Sequence, residues 1–241
     1  MQSVDPSQPV LILGGFLITD EAYAPLASWI QSHQGSIVRI VPSSKFDWLL
    51  TSWAIGWRRL LDRVDEIVQD LQSQSHTGKV TLIGHSSGGV MLRLYLGDQP
   101  FSGRVYAGHL RCNRLVMLGS PHQAVRATPL RALVDKLYPA CSFSTHVDYI
   151  SIAGNLLLES NNATHFAKRF ASNSYRSISG DPLSQGDGLV PLSSALLAQS
   201  RHLVLNDTAH GGLFGSTWYG SIERIEQWWP FATGHYQPIN A

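Results

Sequence analysis

Short apolar runs recur along the chain, and segments with a helical spacing of apolar residues separate them. Several runs are apolar on both faces, which is typical of strands in a parallel sheet that is covered by helices on both sides. We predict strands at Val10–Leu13, Ser36–Val41, Val80–Ile83, Arg114–Gly119, Tyr149–Gly154 and His202–Asn206.

The intervening segments predict helices at Ala22–His33, Trp53–Ser73, Gly88–Leu96 and Ser193–Gln199, and a last one that carries Ile222, Ile225 and Trp229. This alternation predicts an α/β fold, a doubly wound, mostly parallel sheet with helices on both faces. The interruption Pro121–Asp148 is long for a strand connection, so we interpret it as a small cap or lid. Because the sequence contains no low-complexity linker, we expect residues 1–241 to form a single domain.

Composition supports a compact core, since 44% of residues are hydrophobic and 15% are charged. The net charge is +1 without a basic run, so we expect no nucleic-acid partner. We find neither a signal peptide nor an apolar run of the roughly 18–20 residues that span a bilayer, and we expect a cytoplasmic protein. Cys112 and Cys141 are the only cysteines. We favour two buried thiols over a disulfide, and a disulfide over a metal site.

The stretch Gly84-His85-Ser86-Ser87-Gly88 follows a predicted strand and opens a predicted helix. A nucleophile on so sharp a turn adopts a strained backbone conformation and tolerates only very small residues two positions before and after it. Ser86 satisfies this rule, whereas Ser87 would place His85 at one of those positions. We therefore predict Ser86 as a catalytic nucleophile rather than part of an ordinary glycine-rich turn.

A serine nucleophile needs a histidine base and a carboxylate, which follow it in the order Ser, acid, His on this type of fold. Of the 10 histidines, His210 lies in a glycine-containing loop directly after the last predicted strand. Asp187 lies between two glycines upstream of His210, so we predict Asp187 as the acid. Asp181 and Asp148 are the alternatives.

Two backbone N–H groups are needed to stabilise the negatively charged oxygen that forms during attack. One is expected from Ser87, the residue after the nucleophile, and the other from the loop after the first strand. In the sequence "VLILGGFLITD", we predict that the N–H of Phe16, or alternatively of Leu17, faces the site.

The stretch "KFDWLLTSWAIGWRRLL" is rich in large apolar residues. It suits core packing, and it also suits an acyl-binding wall or a surface that contacts membrane. We assign Trp48, Trp53 and Leu17 to substrate binding, and peripheral membrane contact is an expectation of the same kind.

Five motifs, "LGGF", "GHSSGG", "LGSPH", "GDGLVPLSSA" and "HGGLFG", occur in the order found in the α/β-hydrolase superfamily. The chain resembles its serine lipases and esterases over about Pro9 to Trp229. It is most similar to lipase-like hydrolases of cyanobacteria and plastids and, more distantly, to deacylases of inositol-linked lipid anchors. Lipases usually carry His-Gly before the oxyanion residue, whereas this chain has Gly14-Gly15, a departure that bears on loop rigidity.

The resemblance implies a serine carboxylester hydrolase that cleaves lipid-like esters through an acyl-enzyme on Ser86, without a metal or cofactor. Acyl transfer or thioester cleavage with the same residues is an alternative. A non-catalytic binding protein on a hydrolase fold is another, although the complete set of Ser86, Asp187 and His210 argues against it.

Overall fold

The computed structural model of the protein describes residue 5 and residues 7–234. Within these residues, six parallel strands form one sheet in the order β2-β1-β3-β4-β5-β6. The predicted strands are all present, with ends that differ by at most two residues from the prediction. The strands are β1 (Val10–Leu13), β2 (Val38–Ile40), β3 (Val80–His85), β4 (Cys112–Leu118), β5 (Asp148–Asn155) and β6 (Arg201–Asn206).

The helices agree with the prediction less closely than the strands. The predicted helix Ser193–Gln199 contains only one short turn, because the backbone is extended at Leu196 and left-handed at Gln199, with φ +68°. The helices are α1 (Ala24–Gln34), α2 (Lys45–Leu50), α3 (Ala54–Ser73), α4 (Ser87–Leu96), α5 (Pro129–Leu137), α6 (His165–Ser179), α7 (Leu192–Ala195) and α8 (Ile222–Thr233). Of these, α2, α5 and α6 were not predicted.

The sheet divides the core into two layers, as alternation of side chains along a strand requires. Leu11 and Leu13 of β1 face a cluster formed with α3, α4 and α5, whereas Val10 and Ile12 face one formed with α1 and α8. Helices therefore cover both faces, and the prediction of a doubly wound α/β-hydrolase fold is confirmed.

The segment predicted as a cap contains α5, which packs on α4 and buries Val134 in the core. Three residues of the same segment, Pro121, Thr128 and Arg131, line the cavity that contains Ser86.

Strand order places the ends of β1 and β3 side by side in the sheet. The chain moves from β1 to one side and from β3 to the other, and loops diverge at such a point to leave a crevice at the carboxyl ends of the strands. The segments Gly14–Phe16 and Ser86 follow β1 and β3, and the loop with His210 follows β6. The predicted catalytic residues, which are far apart in sequence, thus lie together at the carboxyl ends of the strands.

Two sequence expectations concern features away from this edge. Cys112 and Cys141 are buried free thiols, as predicted. Among the described residues, no helix has both the length and the apolar composition of a membrane span.

Candidate active site

Ser86 sits on the turn between β3 and α4 with φ 54° and ψ −126°, a conformation that non-glycine residues rarely adopt. A Cβ at Gly84 would lie 2.4 Å from the Cα of Gly89, and one at Gly88 would lie 2.3 Å from the carbonyl oxygen of Gly14. Both positions therefore require glycine, for the steric reason given by the sequence pattern. Such strain is frequent at functional sites, where the surrounding structure holds it.

The structure brings Ser86, His210 and Asp187 into one chain of hydrogen bonds. His210 Nε2 lies 2.9 Å from Ser86 Oγ, and His210 Nδ1 lies 2.8 Å from Asp187 Oδ2. A carboxylate can only accept, so Nδ1 carries the proton and Nε2 accepts from the serine hydroxyl. All three side chains are buried, with Ser86 6% exposed.

Asp187 has all its acceptor positions engaged. Its Oδ1 accepts hydrogen bonds from the N–H groups of Leu189 and Val190, at 3.1 Å and 2.7 Å. Its Oδ2 accepts from His210 and also from the Tyr219 hydroxyl, at 2.8 Å. Four donors therefore stabilise a carboxylate that has no contact with solvent.

Tyr219 is a part of this site that the sequence analysis missed. Its oxygen accepts the N–H of Gly154 at 2.6 Å while its proton goes to Asp187, so it joins the end of β5 to the acid. Burial, together with the nearby Asp187 charge, raises the pKa of Tyr219 well above its ordinary value, which keeps the phenol neutral. The only signal was its position in "WYGS", nine residues after His210.

The alternative acids lie elsewhere. Asp181 is exposed and its carboxylate accepts the N–H of Leu183. Asp148 begins β5 at the opposite edge of the sheet, where it pairs with Arg114 and Arg201. Neither reaches His210.

The two predicted oxyanion donors are unoccupied backbone groups beside Ser86. The N–H groups of Phe16 and Ser87 donate to no other described residue, and both residues line the cavity that contains Ser86. Ser87 is the first residue of α4, so its N–H is one of the free donors at the positive end of that helix. Leu17, the alternative donor, is 41% exposed with φ 62° and does not line the cavity.

A buried network orders the loop that carries Phe16. The Gly15 N–H donates to the Tyr23 hydroxyl at 2.9 Å, which in turn lies 2.7 Å from His85 Nδ1. His85 Nε2 lies 2.8 Å from the carbonyl oxygen of His210, which can only accept, so Nε2 carries the proton and Nδ1 accepts from Tyr23. Burial, with the neighbouring His210, lowers the pKa of His85 well below its ordinary value, and the ring stays neutral. The network therefore links the oxyanion loop, the Ser86 turn and the His210 loop.

The cavity next to Ser86 has a volume of about 350 Å³. Apolar side chains from several elements form much of its wall, among them Phe16, Trp57, Met91 and Leu189. A larger cleft of about 720 Å³ contains charged residues such as Asp20 and Lys45 but does not reach Ser86. The smaller cavity is therefore the relevant one for chemistry at the serine.

Two tryptophans assigned to substrate binding do not line this cavity. Trp48 is fully buried in the core, where its Nε1 donates to Ser43 Oγ at 3.2 Å, and that assignment is wrong. Trp53 is 63% exposed. The assignment assumed that Trp53 and Trp57 share a helix face. However, α3 begins at Ala54, and the backbone of Trp53 is extended, with φ −123° and ψ 155°. Only Trp57 reaches the cavity.

We compared the chain with protein-family models, with curated proteins and with solved structures. The model of the palmitoyl protein thioesterase family matches residues 9–178. No curated protein matches the chain.

Three solved structures show the same fold at low sequence identity. The mature lipase BlEst2 of Bacillus licheniformis is 13% identical with a TM-score of 0.61, covering 95% of this chain and 92% of its own. The lin2722 gene product of Listeria innocua is 15% identical with a TM-score of 0.58, covering 96% of each chain. Esterase 2 of Thermogutta terrifontis, phosphonylated by sarin, is 10% identical with a TM-score of 0.50, covering 97% of this chain and 87% of its own.

At sequence identities this low, the solved structures establish only the fold. The match to the family model shows the family to which the chain belongs. The motifs after β1 and β3, which the family match spans, are those that carry the strained serine and the free N–H donors. The chain belongs to the palmitoyl protein thioesterase family, a hydrolase family, and has the α/β-hydrolase fold.

Proposed function

We propose that the protein is a serine hydrolase that cleaves lipid-like carboxylic esters through an acyl-enzyme on Ser86. This proposal rests mainly on two consecutive hydrogen bonds, from Ser86 Oγ to His210 Nε2 at 2.9 Å and from His210 Nδ1 to Asp187 Oδ2 at 2.8 Å. They join a nucleophile, a base and the group that orients the base, and the nucleophile lines a cavity that can admit a small ester.

In the first half of the proposed reaction, Ser86 Oγ attacks the ester carbonyl carbon while His210 Nε2 takes the hydroxyl proton. The Phe16 and Ser87 N–H groups donate to the oxygen that becomes negative. Asp187 stabilises the imidazolium that His210 becomes. The carbon–oxygen bond then breaks, and the His210 proton passes to the departing alcohol, leaving the acyl group on Ser86.

In the second half, water replaces the alcohol. His210 takes a proton from water as its oxygen attacks the acyl carbon, and the same two N–H groups stabilise the second tetrahedral intermediate. Collapse releases the acid and returns the proton to Ser86. The cycle needs no group beyond the residues named.

The surroundings of the cavity favour an apolar acyl chain. Thr51 and Ser52 line the cavity, and the apolar side chains beside them in sequence are largely exposed: Phe46, Leu49, Trp53 and Ile55 are 64%, 52%, 63% and 64% exposed. Exposed apolar patches of this kind mark interaction sites, lipid surfaces among them. We include peripheral contact with lipid in the proposal, with cosedimentation on phospholipid vesicles as its test.

Thioester cleavage is the second candidate, because the matched family is described by that activity. Attack on a thioester leads to the same acyl-Ser86, and the departing thiolate needs less protonation than an alkoxide. Parallel assays of an ester and a thioester with the same acyl chain would separate the two candidates by their kcat/KM ratio.

The decisive experiment is the Ser86→Ala variant, assayed on p-nitrophenyl esters and treated with a fluorophosphonate probe. We expect wild-type protein to turn over the ester and to be labelled, and the variant to lose both while it keeps its unfolding midpoint. A folded variant that retains turnover would contradict the assignment of Ser86. A wild-type protein that is neither labelled nor active would favour a non-catalytic binding protein.

A further inference from the structure

Arg131, in the first half of α5, lies in the wall of the Ser86 cavity. The rest of the described lining consists of apolar residues and of serine and threonine, so Arg131 brings the only charged side chain. A guanidinium remains protonated at neutral pH, even when it is partly desolvated. The cavity beside the nucleophile thus carries one positive charge.

The Arg131 guanidinium has no protein partner among the described residues. Its Nε is buried without a hydrogen bond, and no carboxylate lies within ion-pairing distance. Asp135, one turn further along α5, is the nearest acid in sequence on that face, but it pairs with Arg93 at 3.4 Å. Arg131 is therefore left with its charge unneutralised.

Among the described residues, the two fully buried arginines, Arg93 and Arg114, are each paired with a carboxylate. Arg93 interacts with Asp135 and donates to the carbonyl oxygen of Tyr138, at 2.6 Å, and Arg114 pairs with Asp148 at 3.5 Å. Burial lowers the pKa of Arg131 as well, but without the opposing effect of a carboxylate that acts on the other two. Because an unpaired, partly desolvated charge is unfavourable, an anion at this place would be stabilised.

Arg131 lies at the capped amino-terminal end of α5. The side chain of Thr128 caps α5 and accepts the Arg131 N–H at 3.4 Å, and Thr128 itself lines the cavity. Two residues at the amino-terminal end of this nine-residue helix, Thr128 and Arg131, therefore line the cavity, at the end where the helix dipole is positive.

We propose that Arg131 binds an anionic oxygen group, a carboxylate or a phosphate, of the same substrate molecule whose acyl bond Ser86 attacks. This inference rests on the proposed function, and it narrows the substrates to anionic esters or thioesters. A sphere of the cavity's 350 Å³ has a diameter of about 9 Å, so the anion and the carbonyl are separated by a short spacer. The anion belongs either to the acyl chain or to the leaving group.

The test compares substrates in pairs in which one member carries an anionic group that the other lacks. For the acyl side, the pair is p-nitrophenyl hexanoate and the mono-p-nitrophenyl ester of adipic acid. For the leaving-group side, the pair is a monoacylglycerol and the monoacylglycerol phosphate with the same acyl chain. We expect wild-type kcat/KM to be at least tenfold higher for the anionic member of one pair, and that pair identifies the side on which the anion lies.

Arg131→Gln should reduce this ratio of anionic to neutral kcat/KM to about one, whereas Arg131→Lys should retain part of it. The matched control is Arg126→Gln, an exposed arginine of the same segment, which should leave the ratio unchanged. A wild-type ratio near or below one in both pairs would overturn the inference, and so would a preference that survives in Arg131→Gln.

A binding measurement separates this inference from the proposed function. Calorimetric titration of Ser86→Ala with hexyl phosphate and with hexanol requires no turnover. We expect at least tenfold tighter binding of hexyl phosphate, and a loss of that difference when Arg131→Gln is added. Equal binding of both ligands would refute the role of Arg131 even in an active esterase, whereas the expected difference in a protein without esterase activity would refute only the proposed function.

Discussion

Asp187→Asn exchanges one oxygen of the proposed acid for an N–H₂ group with almost no change of shape. The Leu189 and Val190 N–H groups both donate to Oδ1, so the amide oxygen takes that position and the N–H₂ group takes the position of Oδ2. It then faces His210 Nδ1, which must accept rather than donate. The His210 proton moves to Nε2 and points at Ser86 Oγ, and the ring can no longer take the serine proton.

The size of the effect follows from this change of tautomer. In serine proteases the analogous substitution lowers kcat by about 10⁴-fold with intact geometry. We expect a fall in kcat of about 10³- to 10⁴-fold here, or about 4–5.5 kcal/mol of transition-state stabilisation. KM should change little, because Asp187 does not line the cavity. The Tyr219 hydroxyl also loses its acceptor, which should lower the free energy of unfolding by about 1 kcal/mol.

The assay is steady-state hydrolysis of p-nitrophenyl butyrate near neutral pH, together with urea unfolding of the same preparations. Asp181→Asn is the matched control, since that carboxylate is exposed and only caps the local turn at Leu183, and its kcat should equal that of wild type. A folded Asp187→Asn variant with more than a tenth of wild-type kcat would refute the tautomer argument. An equal loss in Asp181→Asn would point to a different acid.

Three further substitutions test the buried network around Tyr23 and the different environments of Trp48 and Trp53. Tyr23→Phe leaves the Gly15 N–H and His85 Nδ1 unpaired, and we expect each to cost about 1–3 kcal/mol in urea unfolding, with a fall in kcat as the oxyanion loop loosens. Unchanged stability and kcat would show that the network is dispensable. Trp48→Ala should destabilise the fold by about 3–5 kcal/mol, while Trp53→Ala should change stability little, because only Trp48 is in the core. A loss for Trp53→Ala as large as for Trp48→Ala would contradict the assigned burial.

The sequence predicted best those features whose cause is local. Apolar runs such as Val10–Leu13 give strands because helices cover both faces of the inner strands of the sheet, whereas the edge strands β2 and β6 are only partly buried. The turn at Ser86 was predictable because glycines two positions away leave room for a strained serine. The helix α6 was not predicted, although Thr164 caps its start and Gly180 follows its end, because few apolar residues mark its buried face.

By itself, then, the sequence determined the six strands, the helices α1, α3, α4 and α8, the strained turn at Ser86 and the residues Asp187 and His210 as its candidate partners. Only the tertiary structure decided that Trp48 is core while Trp53, five residues later, is exposed, because burial depends on what packs against an element from elsewhere. It also decided that Tyr219 meets Asp187 and that Arg131 faces the cavity unpaired. Hydrogen bonds and cavities between distant segments depend on distances in space, which a periodic pattern along one chain does not encode.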